Sequence, residues 1–418
     1  MKADQELNYK NHTEKYVKLT DIAFTLLCIG LSSFSVAVLF ELKKKIVEEK
    51  HWLNNDEYLN GLGLAQMLPG ALAVNFVAYV GHTLRGLQGS IIAVIFFMLP
   101  CFTLMVLLSY LYLKLGELPV IISLQNGLSA MVVGLVLNFI IDLWKSGANN
   151  PKLTLLAILG FIVVYFYKSS VFPIFAVAGA ISVFFVILEK IFPRWGKFIS
   201  QGFWQEKKDQ EIKLKIIKAT FNMKNYLFMV SCLFLIIGID FFLIYMQARL
   251  AQVGTLFFKI GALIFGGGYA MLPFIQDTVV NQYHWLDNRE FGIALALSLI
   301  TPGPVAIISA FIGFKVAGLA GAFIAAVNMY LPSFALTNII APLYREVSQI
   351  TVIKQILKGI VAAFIGTMLS LIIKLTSTNL VDLQTWGIAI AAFVAQRYMK
   401  VGTVWIILAG AVISLILF

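Results

Sequence analysis

The fold turns on a stretch that occurs twice. His51-Trp52-Leu53-Asn54 is followed by Asp56-Glu57 and then, within an apolar run, by Leu68-Pro69-Gly70. His284-Trp285-Leu286-Asp287 is followed by Arg289-Glu290-Phe291 and then by Thr301-Pro302-Gly303-Pro304. The interval from Trp to Pro-Gly is the same in both copies. Beyond it, Gly81, Gly86, Gly89 and Leu99-Pro100 keep step with Gly313, Gly318, Gly321 and Leu331-Pro332, with one residue of slippage. This many punctuating residues in register mark an internal duplication.

The residues around these motifs are apolar. Hydrophobic residues make up 60% of the 418-residue chain and charged residues 13%, and mean hydropathy is +0.88. A soluble domain carries roughly 25% charged residues, so this chain lacks the charge to cover itself in water. Apolar runs at 19–40, 58–81, 89–113, 119–144, 152–168, 170–191, 224–247, 254–280, 289–313, 317–344, 352–375, 384–396 and 401–418 predict an all-α polytopic membrane protein of about thirteen spans. Each half holds about six runs, and the run at 224–247 has no partner. An unpaired span between two six-helix halves makes the second enter from the opposite side, so an inverted repeat is expected.

Placing the N-terminus in the cytoplasm, with every run spanning, puts about two thirds of the lysines and arginines inside. The basic stretch from Lys190 to Lys224 is then cytoplasmic, and Lys43, Lys44, Lys45 and Lys50 are the misfit, read as part of an interfacial helix interleaved with Glu41, Glu48 and Glu49. The expected location is the cell (inner) membrane. The net charge of +11 lies between apolar runs, where it orients helices and meets anionic headgroups, so no nucleic acid partner is expected. Cys28, Cys101 and Cys232 stand singly in apolar runs, and no two histidines share metal-ligand spacing; no disulfide framework, metal or cofactor is expected. The polar segment before the first run is too long and too acidic for a signal peptide, and the run reads as a retained helix.

Four features bear on function. Phe265-Gly266-Gly267-Gly268 interrupts an apolar run ahead of Pro273. One interior glycine costs roughly 1 kcal/mol relative to alanine, so three in a row either unwind the segment and free N–H groups for an anion or allow close helix packing. Thr301-Pro302-Gly303-Pro304 breaks a second run, either as a structural kink or as the start of a half-helix with its positive end in the membrane. Pro69-Gly70 is the matching break in the first half, with Gln66 and Asn75 beside it as hydrogen-bonding candidates or as plain interhelical contacts. Lys259 either supplies positive charge to an anion or snorkels to the interface. Arg85 and Lys315 mark helix ends. An intramembrane enzyme would need paired carboxylates or an activated nucleophile, whereas Asp142 and Asp240 are isolated near span ends. A receptor or scaffold would not need duplicated broken helices.

These motifs resemble the chromate ion transporter family in its long two-domain form. The resemblance rests on Phe265-Gly266-Gly267-Gly268, the Trp-Leu pairs at 52–53 and 285–286, Ala65-Gln66-Met67-Leu68-Pro69-Gly70, Thr301-Pro302-Gly303-Pro304 and Leu331-Pro332-Ser333-Phe334. It implies efflux of chromate, with sulfate as the related dianion, through two homologous domains of opposite orientation. The expected organisation is a cytoplasmic segment at 1–18, a first chromate-transporter-like repeat at 19–191, a basic linker with the unpaired helix at 192–250, and a second repeat at 251–418. The first half departs from the family, reading Phe34-Ser35-Val36-Ala37 for the glycine motif and Pro69-Gly70-Ala71 for Pro-Gly-Pro. The expected mechanism is alternating access by one half rocking against the other, with membrane lipid around it and a homodimer as a possible assembly.

Overall fold

A computed structural model describes residues 17–32, 37–115, 118–147, 151–167, 248–263, 271–343 and 351–418, together with isolated positions at 177 and between 227 and 242. Phe265, Gly266, Gly267 and Gly268 lie outside the described residues, as do the run at 170–191 and the linker with its helix, apart from those isolated positions. All regular structure among the described residues is helical. The elements are α1 (Leu19–Ser32), α2 (Ala37–Leu42, continued as a π-helix over Lys43–Glu49), α3 (Asn55–Met67), α4 (Leu72–Leu115), α5 (Pro119–Gly147), α6 (Pro151–Tyr167), α7 (Ala248–Leu263), α8 (Leu272–Gln276, continued as a π-helix over Asp277–Gln282), α9 (Asn288–Ile300), α10 (Ile308–Ile340, preceded by a 3-10 turn over Val305–Ile307), α11 (Thr351–Asn379), α12 (Leu383–Arg397) and α13 (Thr403–Leu417).

The duplication extends to backbone detail. Each π-helix is followed by a histidine in the left-handed region, with φ of 51° at His51 and 53° at His284. Asn54 and Asp287 then each cap a helix reciprocally with a glutamate three residues on, Glu57 and Glu290. The capping box satisfies two otherwise unpaired N–H groups and fixes where each helix begins. Both helices end in extended backbone, at Leu68 and Thr301, and the next glycine turns left-handed, with φ of 94° at Gly70 and 108° at Gly303.

Four of the apolar runs are not the simple spans expected of them. The run at 58–81 is two short antiparallel helices. Tyr58 stacks edge-on against Phe76 at 5.0 Å, and the Tyr79 hydroxyl donates to the Glu57 carbonyl at 3.3 Å. A continuous helix would hold Tyr58 and Phe76 about 27 Å apart. The run at 289–313 folds the same way, with Lys315 ion-paired to Glu290 across its two arms. A second reversal comes after each hairpin, at Arg85–Gly86 and Ala317–Gly318. There Gly81 packs on the Gly89 backbone and Gly313 on that of Gly321.

The runs at 19–40 and 254–280 also turn back. The Arg85 guanidinium donates to the Val17 carbonyl at 3.0 Å, which ties the start of α1 to the end of the α3–α4 hairpin where α3 also begins. One straight helix from residue 17 to residue 54 would separate those points by about 55 Å. In the second half, Gln252, Leu256 and Lys259 of α7 line one groove with Thr278 and Gln282, so the π-helix after α8 lies back alongside α7. The physical reason for all four cases is the same. Each arm is about half a span long, and two arms joined at a break present the hydropathy of one span.

The long arms, 87–115 of α4 and 319–340 of α10, pack antiparallel. Phe102 meets Phe323 at 6.3 Å, Ile91 packs into the cluster around Leu331 and Phe334, and the His82 ring hydrogen-bonds Asn338 Oδ1 at 2.9 Å. Beyond them the halves exchange partners. Gly134 of α5 packs against the Ala389 backbone of α12, and Gly366 of α11 packs against that of Ala157 of α6. Asp142 of α5 is ion-paired with Arg397 of α12. Among the described residues, four helices are long and apolar enough to cross a membrane: Leu72–Leu115, Ile122–Lys145, Val305–Ile340 and Val361–Asn379.

Candidate functional site: two crossed glycine tips

The tips of the α3–α4 and α9–α10 hairpins are buried throughout, from Leu68 to Ala71 and from Thr301 to Pro304. Each tip lodges against the long arm of the other half. A Cβ added to Gly70 would stand 2.5 Å from Ser333 Cβ, with the Gly261 carbonyl oxygen 3.6 Å away. A Cβ added to Gly303 would stand 3.2 Å from both Cβ and Sγ of Cys101. Cys101 and Ser333 occupy equivalent positions, each directly after the Leu-Pro of its long arm. The contact is thus made twice, once in each direction between the halves.

The polar groups at the tips are disposed unevenly between donors and acceptors. A helix that ends in the interior leaves carbonyls unpaired, and a helix that begins there leaves N–H groups unpaired. Asn75 occupies part of the first acceptor set: it is fully buried, and its amide nitrogen donates to the Pro69 carbonyl at 3.0 Å and the Ala65 carbonyl at 3.3 Å. In the second half the Thr301 hydroxyl donates to the Ser298 carbonyl at 2.9 Å, and its N–H donates to the Leu297 carbonyl at 3.2 Å. Prolines 69, 302 and 304 have no N–H to contribute. The first-turn N–H groups of the helix that leaves each tip stand at the positive end of that helix's dipole, although at the second tip those of Ile307 and Ile308 are taken up within the 3-10 turn. Such an end receives an anion.

Of the residues singled out from the sequence, Pro69, Gly70 and Asn75 are brought together at one tip, and Thr301, Pro302, Gly303 and Pro304 form the other. Gln66 is exposed and points away from the buried tip. Asn75 spends its donor on the tip backbone, so its role there is to shape the turn. Lys259 lies on α7, two residues before Gly261, and lines a groove with Thr255, Thr278 and Gln282. Arg85 and Lys315 do more than mark helix ends, since each holds a hairpin through the contacts described above. Cys101 and Ser333 do not stand out in the sequence as site residues, although both follow a duplicated Leu-Pro. Nor do Ser309 and Tyr330, whose buried hydroxyls have no hydrogen-bond partner among the described residues.

A family model described as chromate transporter matches the chain twice, over residues 20–184 and 251–415. The chain belongs to the chromate transporter family. Its relatives include a chromate transport protein of Cupriavidus metallidurans, 31% identical over 97% of this chain and 94% of the relative. An uncharacterized transporter of Methanocaldococcus jannaschii is 28% identical over 98% of each chain. A probable chromate transport protein of Synechococcus elongatus is 28% identical over 92% of this chain and 91% of the relative. No solved structure matches. The two matched segments coincide with the two copies of the hairpin architecture, and the family together with the apolar helices makes this a multi-pass membrane protein of a family of transport proteins.

Proposed function

We propose that this protein is a secondary transporter that exports chromate or a sulfate-like oxyanion across the cell membrane by alternating access. The observation that carries the reading is the crossed pair of tips, each with part of its acceptors occupied from within the chain and with the N-terminus of the helix that leaves it buried against the other half. A dianion entering a dry interior loses hydration worth many kcal/mol, and preset N–H groups are the compensation that costs no buried countercharge. The names of the relatives point to the same substrate class.

In this reading the halves form an inverted repeat. The first half's hairpins enter from the cytoplasm and the second half's from the outer face. The antiparallel packing of the long arms supports it, and so does the charge distribution. With all four folded runs non-crossing, Lys43, Lys44, Lys45 and Lys50 move to the cytoplasmic side, while the basic stretch from Lys190 to Lys224 stays there because two crossings are lost together. About three quarters of the basic residues are then cytoplasmic, in keeping with the positive-inside rule.

Alternation in this scheme does not divide the protein at the repeat boundary. The exchanged contacts of Gly134 with Ala389 and Gly366 with Ala157 would be torn by one half rocking against the other. The moving parts are instead the hairpin body, α1–α4 with α7–α10, and the outer body, α5, α6 and α11–α13, each built from both halves. The test is competitive flux into proteoliposomes with chromate, sulfate, molybdate and phosphate. The reading requires chromate or sulfate to move faster than in empty liposomes. If none of the four does, the substrate class is wrong.

A further inference from the structure

The groove between α7 and the π-helix after α8 is a separate feature from the tips. It encloses about 540 Å³ and is lined by Gln252, Thr255, Leu256, Lys259, Thr278 and Gln282, among others. Lys259 has no ion-pair partner among the described residues. The nearby carboxylate, Asp277, accepts the side-chain amides of Asn281 and Gln282, each at 2.9 Å. Thr278 is only 3% exposed, and its hydroxyl oxygen has no hydrogen-bond partner among the described residues. A buried hydroxyl left unpaired beside a cation is costly unless a ligand completes it.

The same place in the first half is built differently. Cys28 stands where Lys259 does, Lys45 where Thr278 does, and Glu49 where Gln282 does, by the register that equates Gly30 with Gly261 and His51 with His284. There the lysine is neutralised, with Lys45 Nζ 2.7 Å from Glu49 Oε2. The duplication thus places a lysine at this level in either half, but Lys45 has a carboxylate partner whereas Lys259 has none among the described residues.

We infer that the Lys259–Thr278 groove is an oxyanion antechamber on the outer face, a binding site distinct from the tips, through which the anion passes on that side of the membrane. The inference rests on the transport reading above. Lys259 draws the anion in and Thr278 donates to it, while the chemistry of selection stays with the tips. In the first half the equivalent positions carry the Lys45–Glu49 ion pair, so no such site is expected on the cytoplasmic face.

The experiment is flux of chromate and of radiolabelled sulfate in proteoliposomes of defined orientation, with kinetics taken from each side. One charge-assisted hydrogen bond corresponds to about tenfold in affinity, so Lys259→Gln is expected to raise KM about tenfold from the outer side only. Vmax and the KM from the cytoplasmic side stay within about twofold, since neither depends on the antechamber. Lys259→Arg keeps the wild-type KM, and Thr278→Val raises it about threefold, the loss of one neutral hydrogen bond. Added salt raises the outer KM of the wild type and leaves that of Lys259→Gln unchanged, because only the wild type has a charge to screen. An unchanged KM for Lys259→Gln overturns the antechamber, and loss of flux from both sides at saturating anion assigns Lys259 to the tips instead. Flux by the wild type is read first: its absence overturns the transport reading and this inference together, whereas flux with an unaltered Lys259→Gln overturns this inference alone.

Discussion

The first-half tip, Leu68-Pro69-Gly70-Ala71, and the second-half tip, Thr301-Pro302-Gly303-Pro304, reach nearly the same backbone by different means. Both turn on a glycine with strongly positive φ, 94° and 108°. The first is held by a side chain from the following helix, Asn75, which bridges two carbonyls. The second is held locally, by the Thr301 hydroxyl, a second proline and a 3-10 turn over Val305–Ile307. The first tip is also the tighter fit, since a Cβ added to Gly70 would stand 2.5 Å from Ser333 where one added to Gly303 would stand 3.2 Å from Cys101. Loss of the Pro-Gly-Pro pattern in the first half therefore does not mean loss of the turn. A motif can erode where another residue takes over its hydrogen bonds.

The comparison breaks most sharply over sidedness. In a background with Cys28 and Cys232 replaced by serine, Lys44→Cys is expected to react with an impermeant maleimide only from the cytoplasmic side, and Asn281→Cys only from the outer side. Labelling of both from one face would mean that the hairpins of the two halves do not oppose each other.

Next in size are the glycines. Gly70→Ala combines a left-handed residue, about 1–3 kcal/mol, with overpacking against Ser333 of about 1–3 kcal/mol. It is expected to lower thermal stability in detergent and abolish flux. Gly303→Ala meets only the first cost and part of the second, so it should fold better while still losing most flux. Ser333→Gly in the Gly70→Ala background should restore part of the stability, because it relieves the clash and leaves the backbone strain. If Gly303→Ala proves the less stable of the two, the ranking of the tips is wrong.

The smallest effects separate the two ways of holding the turn. Asn75→Leu removes two hydrogen bonds to buried carbonyls and should cost about 1–3 kcal/mol, and Thr301→Val, with one, about 1 kcal/mol. Equal melting temperatures for the two variants would show that Asn75 does not carry the first tip.

The duplication, the Pro-Gly breaks and the family were legible in the sequence because they are local patterns with fixed spacing. The fold-back was not. A window of about twenty apolar residues reads alike whether it is one helix or two half-length arms, and the contacts that decide, such as Tyr58 with Phe76, are made across the turn. The spacing of Gly81 to Gly89 and Gly313 to Gly321 carried a usable hint, since glycines on either side of a third one suit a close approach between arms. The exchange of α5 and α12 against α11 and α6 depends on packing between residues far apart in the chain, which no pattern in a single sequence encodes. Cys101 and Ser333 lay in plain view after their Leu-Pro pairs, but nothing in one sequence says that a glycine from the other half will land on them.

The most direct test of the crossed tips is an experimental structure of the protein in a bilayer mimic with chromate, or with molybdate as its heavier analogue. The account predicts oxyanion density between the two tips, within hydrogen-bonding distance of first-turn N–H groups after Gly70 or Gly303 and near Ser333 or Cys101. An anion bound elsewhere, with both tips packed shut around Ser333 and Cys101 and no polar space beside them, would contradict it.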